Sequence, residues 1–206
     1  AKAGNDANVA ALGEMWQGGG KGYSDIVMVT LGTGVGGGII INGKILIGEN
    51  GAGGEIGHMC VNLEETDTCG CGRHGCLEQY ASATGISRLA RKKMEHETRA
   101  TILTKEDLSA KAVFDAVKEG DEVAIEVATE MGNYLGHAMA DMAAVLDPAV
   151  FVIGGGVSKA GEVLLSFIEK PFMEKAFFAN KNVKFKLATL GNDAGICGAA
   201  KLVLED

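Results

Sequence analysis

Between Asp121 and Leu146 the apolar residues Val123, Val127, Met131, Leu135, Met139, Met142 and Leu146 recur at three- and four-residue spacing, which predicts a long helix with one buried face. Asp147-Pro148 ends it, and Ala149 to Ile153 follows as a wholly apolar run suited to a central strand. Nearer the start, Asp25 to Leu31, Gly38 to Ile41 and Lys44 to Ile47 are β-rich. Asn42-Gly43 joins the last two as a tight hairpin, and Gly32 to Gly37 joins the first two, so three antiparallel strands are expected in succession. Helical patterns occupy Asn8 to Trp16, Leu77 to Met94, Asp107 to Lys118, about Ser158 to Glu169, and Gly195 to Leu204. Thr104 is placed to cap the third of these, and Gly120 follows its end. Val183 to Leu190 reads as a final strand. With no repeat, linker or low-complexity tract, the pattern predicts one α/β domain, a mixed sheet whose first three strands are antiparallel, flanked by helices.

Composition narrows the class. The 206 residues include 31 glycines and only 2 prolines, with 47 % hydrophobic residues, which excludes a disordered or collagen-like chain and fits a compact fold rich in tight turns. A net charge of −8 gives no basic footprint for nucleic acid. No apolar run approaches the roughly 18 residues of a membrane helix. The first residues carry no secretion-signal pattern, so a cytoplasmic setting is expected, with the five cysteines as metal ligands or core thiols rather than a disulfide framework.

Cys69-x-Cys71-x4-Cys76, with His58 upstream, has the residue types of a structural zinc site: three thiolates and one imidazole close a tetrahedron and leave no open position. Cys60 could compete with His58 if the chain there is extended, whereas Cys197 reads as core. The turn Gly32-Thr33-Gly34 could cradle phosphate oxygens or could simply be a tight hairpin; no Gly-Lys-Ser/Thr follows, so it is not a Walker sequence. Gly154-Gly155-Gly156 lies where an apolar strand meets a helix, a common place for nucleotides, although close packing would also explain it. Asp6, Glu55 and Glu78 each have a plain alternative in helix capping or the helix dipole. Zinc would draw His58, Glu55 and Glu78 into one neighbourhood, and carboxylates converging there suggest recognition of hydroxyl groups. His137 reads as packing or surface, and Arg88 to Lys93 as a solvated helix face.

These residues resemble the ROK family of bacterial sugar kinases and sugar-responsive repressors. The likeness runs through NDANVAALGE at Asn5, LGTGVGGG at Leu31, GGEIGH at Gly53, CGCGRHGCLEQY at Cys69 and VIGGGVS at Val152. It implies an actin-like ATPase fold of the ribonuclease H-like type. The chain would be the larger C-terminal lobe of a two-domain enzyme whose N-terminal lobe, with its phosphate loop, lies outside it. By the same resemblance Asp6 is the catalytic base, and Asn5, Glu55, His58 and Glu78 hold the sugar. Gly32, Thr33 and Gly34 approach the ATP phosphates, and Gly154, Gly155 and Gly156 the adenosine. His58 serves both sugar and zinc, one ring nitrogen each. The implied activity is ATP-dependent, Mg2+-assisted phosphorylation of a hexose, glucose first and N-acetylhexosamine or fructose as alternatives. The parent would be a homodimer, and this lobe alone inactive. The rival within the family is a repressor, in which a helix-turn-helix precedes this module and the sugar acts as effector.

Overall fold

Asn42 and Gly43 both take left-handed backbone angles, φ 52° and 74°, the mirror-image turn that folds two strands back on each other. In the computed structural model, which describes residues 5–204, this turn joins β2 (Val35–Ile41) to β3 (Lys44–Ile45). β1 (Ile26–Leu31) lies on the other side of β2, also antiparallel, with Leu31 opposite Val35. The turn between them is therefore only Gly32 to Gly34. Val35, Gly36 and Gly37, expected in the loop, are the first rungs of β2. β4 (Val150–Gly154) pairs parallel with β1 and is buried at every position, and β5 (Lys184–Leu187) pairs parallel with β4. The sheet order is β3-β2-β1-β4-β5. The outer strands are shorter than their sequence patterns: β3 lacks Leu46 and Ile47, and β5 spans half of 183–190.

Side chains alternate across the sheet as the two-residue period requires. Val27, Val29 and Leu31 of β1, with Phe151 and Ile153 of β4, face one core. Four helices cover it: α3 (Ala83–His96), α4 (Ala110–Lys118), α5 (Glu122–Leu146) and α6 (Glu162–Lys175). Ile26, Met28, Val150 and Val152 face the opposite core, with Ala11 and Leu12 of α1 (Asp6–Gln17). α7 (Asp193–Leu204) packs across α1. Gly13 and Gly198 permit the approach, since a Cβ on Gly198 would stand 1.7 Å from the Val9 carbonyl oxygen.

Three helices differ from expectation. The helix expected over 77–94 is broken into α2 (Glu78–Ala81) and α3 by Ser82, which is extended at ψ 165°. Its hydroxyl donates to the Glu78 carbonyl oxygen at 2.7 Å and accepts the Gly85 N–H at 2.9 Å. α4 is capped by Ser109 rather than Thr104, which instead closes a turn with Asp107. The helix expected from Ser158 begins as a 3-10 turn, Gly156–Ala160, and only then becomes α6.

Candidate functional site

β1 and β4 lie side by side and parallel, so the turns that leave their carboxyl ends, Gly32 to Gly34 and Gly155 to Gly156, are neighbours. The second turn needs glycine. Gly155 has φ 84°, and a Cβ there would stand 2.5–2.7 Å from backbone atoms of Leu31. Gly154 is buried against Met28 and Ala188, a packing position, whereas Gly156 is open. The break at Ser82 braces the first turn, because it frees the Ala83 N–H to donate to the Gly32 carbonyl oxygen at 2.8 Å. The Thr84 hydroxyl donates to the Thr33 carbonyl oxygen at 3.0 Å.

A cleft of about 490 Å³ opens over these turns, and Asp6, Gly32, Gly34, Glu78 and Gly155 all line it. Asn5 is the N-cap of α1, accepting the Ala7 N–H at 2.9 Å, which leaves Asp6 exposed as the first helical residue. Glu78 reaches in from α2 and accepts the Val35 N–H at 3.0 Å. Gly34 must be small for this, since a Cβ would stand 2.2 Å from the Glu78 Oε2. The far wall is the start of α7, from Gly191 to Gly195. Sequence reasoning missed that wall and also missed what fixes it. Glu14 is fully buried and accepts N–H bonds from Gly19 at 2.7 Å, Thr189 at 3.1 Å and Leu190 at 2.8 Å. A second cavity, about 370 Å³, adjoins Gly156 and is lined by Ala110, Phe114, Val157 and Ala160, with Lys111 and Lys159. Ala110 and Phe114 carry the sequence signal of core residues, which hid the cavity.

His58, Cys69, Cys71 and Cys76 come together with all four ligand atoms within 4.8 Å of one another. Cys69 Sγ stands 3.9 Å from His58 Nδ1, and Cys71 Sγ 3.6 Å from Cys76 Sγ. A tetrahedral zinc with about 2.3 Å bonds to sulfur and about 2.0 Å to nitrogen needs ligand edges of roughly 3.5–3.8 Å, so the set fits that ion. Nδ1 faces the cluster, which leaves Nε2 of His58 for another partner. The N–H and guanidinium of Arg73 hold the Cys71 thiol down at about 6, while burial pushes Cys76 up. Cys60 is outside the cluster; its thiol donates to the carbonyl oxygens of Asn62 and His74, each at 3.8 Å. The Cys69 thiol also donates to Glu78 Oε1 at 3.9 Å, so metal loop and cleft share a wall. Glu55 is exposed at the start of the 3-10 turn Ile56–His58.

Of the remaining expectations, His137 is exposed on α5 and Cys197 half-buried on α7. Arg88 to Lys93 is not simply solvated. Arg88 pairs with Glu65 and Asp67, Lys92 with Asp67, and Lys93 with Glu126, while Leu89 and Ala90 are buried. Among the described residues no helix is long and apolar enough to cross a membrane.

Comparison with known proteins agrees with this arrangement. The family model described as "ROK family" matches residues 1–206. A glucokinase of Halalkalibacterium halodurans is 48 % identical over 206 residues, 98 % of this chain and 62 % of that protein. A xylose repressor of Caldicellulosiruptor bescii is 30 % identical, over 98 % of this chain and 51 % of that protein. The crystal structure of a ROK family glucokinase from Streptomyces griseus, in complex with glucose and AMPPNP, superposes with a TM-score of 0.87 at 37 % identity, covering 97 % of this chain and 67 % of that one. The chain thus spans about two thirds or less of these relatives. Its five-stranded mixed sheet between helices is the actin-like ATPase fold of the ROK sugar kinases. With the whole length matched by the family model and the paired glycine turns, cleft and cysteine loop in place, the chain belongs to the ROK family.

Proposed function

We propose that the chain is the larger, C-terminal lobe of a two-domain kinase that transfers the terminal phosphoryl group of ATP to a hexose, with glucose as the sugar. The observation that carries this reading is the single cleft in which a carboxylate, Asp6, meets two glycine turns and a second carboxylate, Glu78. A sugar hydroxyl is a poor nucleophile, so the Asp6 carboxylate accepts its proton while the oxygen bonds to the γ-phosphorus and the bond to the leaving ADP breaks. Glu78, Glu55, Asn5 and the Nε2 of His58 hold the remaining hydroxyls. N–H groups of Thr33, Gly34 and the turn at Gly155–Gly156 receive phosphate oxygens, while the Gly32 N–H closes its own turn onto the Gly34 carbonyl oxygen, and magnesium would neutralise the phosphate charge. The apolar cavity between Phe114 and Val157 takes the base. Zinc, held by His58, Cys69, Cys71 and Cys76, would cross-link the inner end of the loop that leads into Glu78.

The test uses the full-length protein. Asp6→Asn keeps the size and most hydrogen bonds but removes the proton acceptor, so glucose binding by calorimetry survives while kcat in a coupled assay falls by roughly 10²-fold or more. A repressor that only senses sugar has no turnover to lose. Wild-type protein that binds glucose without turnover would overturn the kinase reading and support the repressor.

A further inference from the structure

The loop from Met59 to Leu77 is tied at two ends by different chemistry. At the inner end sit the four metal ligands. At the outer end, residues 62–67 are joined to α2, α3 and α5 by groups that include no ligand side chain. The Tyr80 hydroxyl donates to Glu65 Oε2 at 2.6 Å, and Arg88 Nη1 donates to the same oxygen at 2.8 Å and to Asp67 Oδ2 at 2.7 Å. Asn62 donates to the Tyr80 oxygen at 2.9 Å. The carboxylate of Glu65 is only 7 % exposed and the Arg88 side chain 18 %, so water competes weakly for these bonds. The Tyr80 ring packs against the Tyr134 ring at 3.9 Å and has the Arg88 guanidinium 5.0 Å from its centre.

The same groups grip α2. Arg88 Nε donates to the Gln79 carbonyl oxygen at 3.1 Å, and Gln79 in turn donates to the Asp67 carbonyl oxygen at 2.8 Å and accepts the Cys76 N–H at 3.0 Å. A four-residue helix has no stability of its own. Its position is set by Gln79 and Tyr80, the two residues that follow Glu78.

We propose that Glu65 and Arg88 form an ionic clasp that holds the metal loop shut, and Glu78 in place, whether or not a metal ion is bound. The clasp accounts for the order of a loop that is poor in apolar residues. It also makes Glu65 and Arg88 positioning residues for the sugar site; that last clause alone rests on the kinase reading.

Amide hydrogen exchange of the full-length protein tests it, with and without chelator. Val61 and Leu77 donate backbone bonds across the loop, to the Gly75 and Met59 carbonyl oxygens, that stay formed only while the loop is closed. In chelated wild type these amides remain protected. In chelated Glu65→Gln or Arg88→Met they exchange roughly tenfold faster or more, as loss of a charged hydrogen bond predicts, while Val29 and Phe151 in the sheet stay slow. The double variant exchanges more slowly than the two single effects multiplied together, because the two share the Glu65–Arg88 bond. Tyr80→Phe, which deletes only a hydroxyl, gives a smaller rise in the same amides and guards against a variant that fails to fold. Loss of loop protection on chelation of the wild type alone would overturn the proposal, and so would variants that exchange like wild type. If the wild type binds no zinc, chelation changes nothing and the variants decide alone. Tyr80→Phe should also raise the KM for glucose several-fold with kcat and the KM for ATP kept; an unchanged glucose KM would overturn the positioning of Glu78 but not the clasp.

Discussion

Glu14 offers a measurement whose size follows from the coordinates. Its side chain is completely buried, and its two oxygens accept the N–H groups of Gly19, Thr189 and Leu190, tying the end of α1 to the segment that leads from β5 into α7. Glu14→Ala removes the acceptor of three part-buried N–H groups. At about 1–3 kcal/mol each when fully buried, and with water reaching these part-buried groups to recover much of that, the loss is about 2–4 kcal/mol. Glu14→Gln behaves differently. Its amide oxygen can serve Gly19 and Thr189 in place of Oε2, but its NH2 group then points a donor at the Leu190 N–H, for a cost of about 1.5–3 kcal/mol. Gly18→Ala gives an independent probe, because a Cβ there would stand 1.9 Å from Glu14 Oε2 and must displace the carboxylate. Urea unfolding followed by tryptophan fluorescence and circular dichroism reads the free energies. The order should be wild type, then Gln, then Ala, with unchanged m-values. An alanine variant within about 1 kcal/mol of wild type would refute the reasoning, since at least one orphaned donor costs more than that.

Two further outcomes follow from the metal loop. Metal analysis of protein purified without added zinc should find about one zinc per chain, and Cys71→Ser should lower that occupancy; content far below one equivalent would contradict the four-ligand site. The second concerns acid. Burial alone would raise the Glu65 carboxyl, but the Tyr80 hydroxyl, the Asp67 N–H and the Arg88 guanidinium outweigh it and hold it at about 2, below the ordinary 4.5. A lowered folded-state value stabilises fully above about pH 4.5, and that stabilisation is lost as pH falls toward about 2. In chelated protein the gap in thermal midpoint between wild type and Glu65→Gln should therefore shrink between pH 5 and pH 3; a constant gap would refute it.

Much of the architecture was legible because it is local. Asn42-Gly43 can make few turns other than the one it makes, the seven apolar residues of α5 specify its buried face, and five apolar residues before three glycines could hardly be anything but a central strand. The cysteine cluster was legible for the same reason: His58, Cys69, Cys71 and Cys76 fall within a short stretch, and the fold brings their ligand atoms within 4.8 Å of one another. What stayed hidden depends on partners far along the chain. Glu14 bonds residues 175 and 176 positions away, which no spacing rule reaches. The break at Ser82 answers to the glycine turn it braces, about fifty residues earlier, and local helix propensity yields to that bond. Arg88 looked like one more charge in a basic run because Glu65, its partner, lies 23 residues earlier on an irregular loop. Ser109 prevailed over Thr104 as a cap because residues 104–107 close a turn of their own.

The pairing of Ile26 with Val150 has a consequence for how the protein comes into being. Strands β1 to β3 are joined by tight turns and can pair as soon as they leave the ribosome, but the partner on the other side of β1 is made more than a hundred residues later. Joining strands so distant costs more chain entropy than any local pairing in the sheet, and such contacts dominate slow folding. The two glycine turns become neighbours only through that pairing. Until residue 156 has been synthesised and β4 has docked, the two glycine turns cannot meet, so the floor of the cleft is a product of long-range folding rather than of either turn alone.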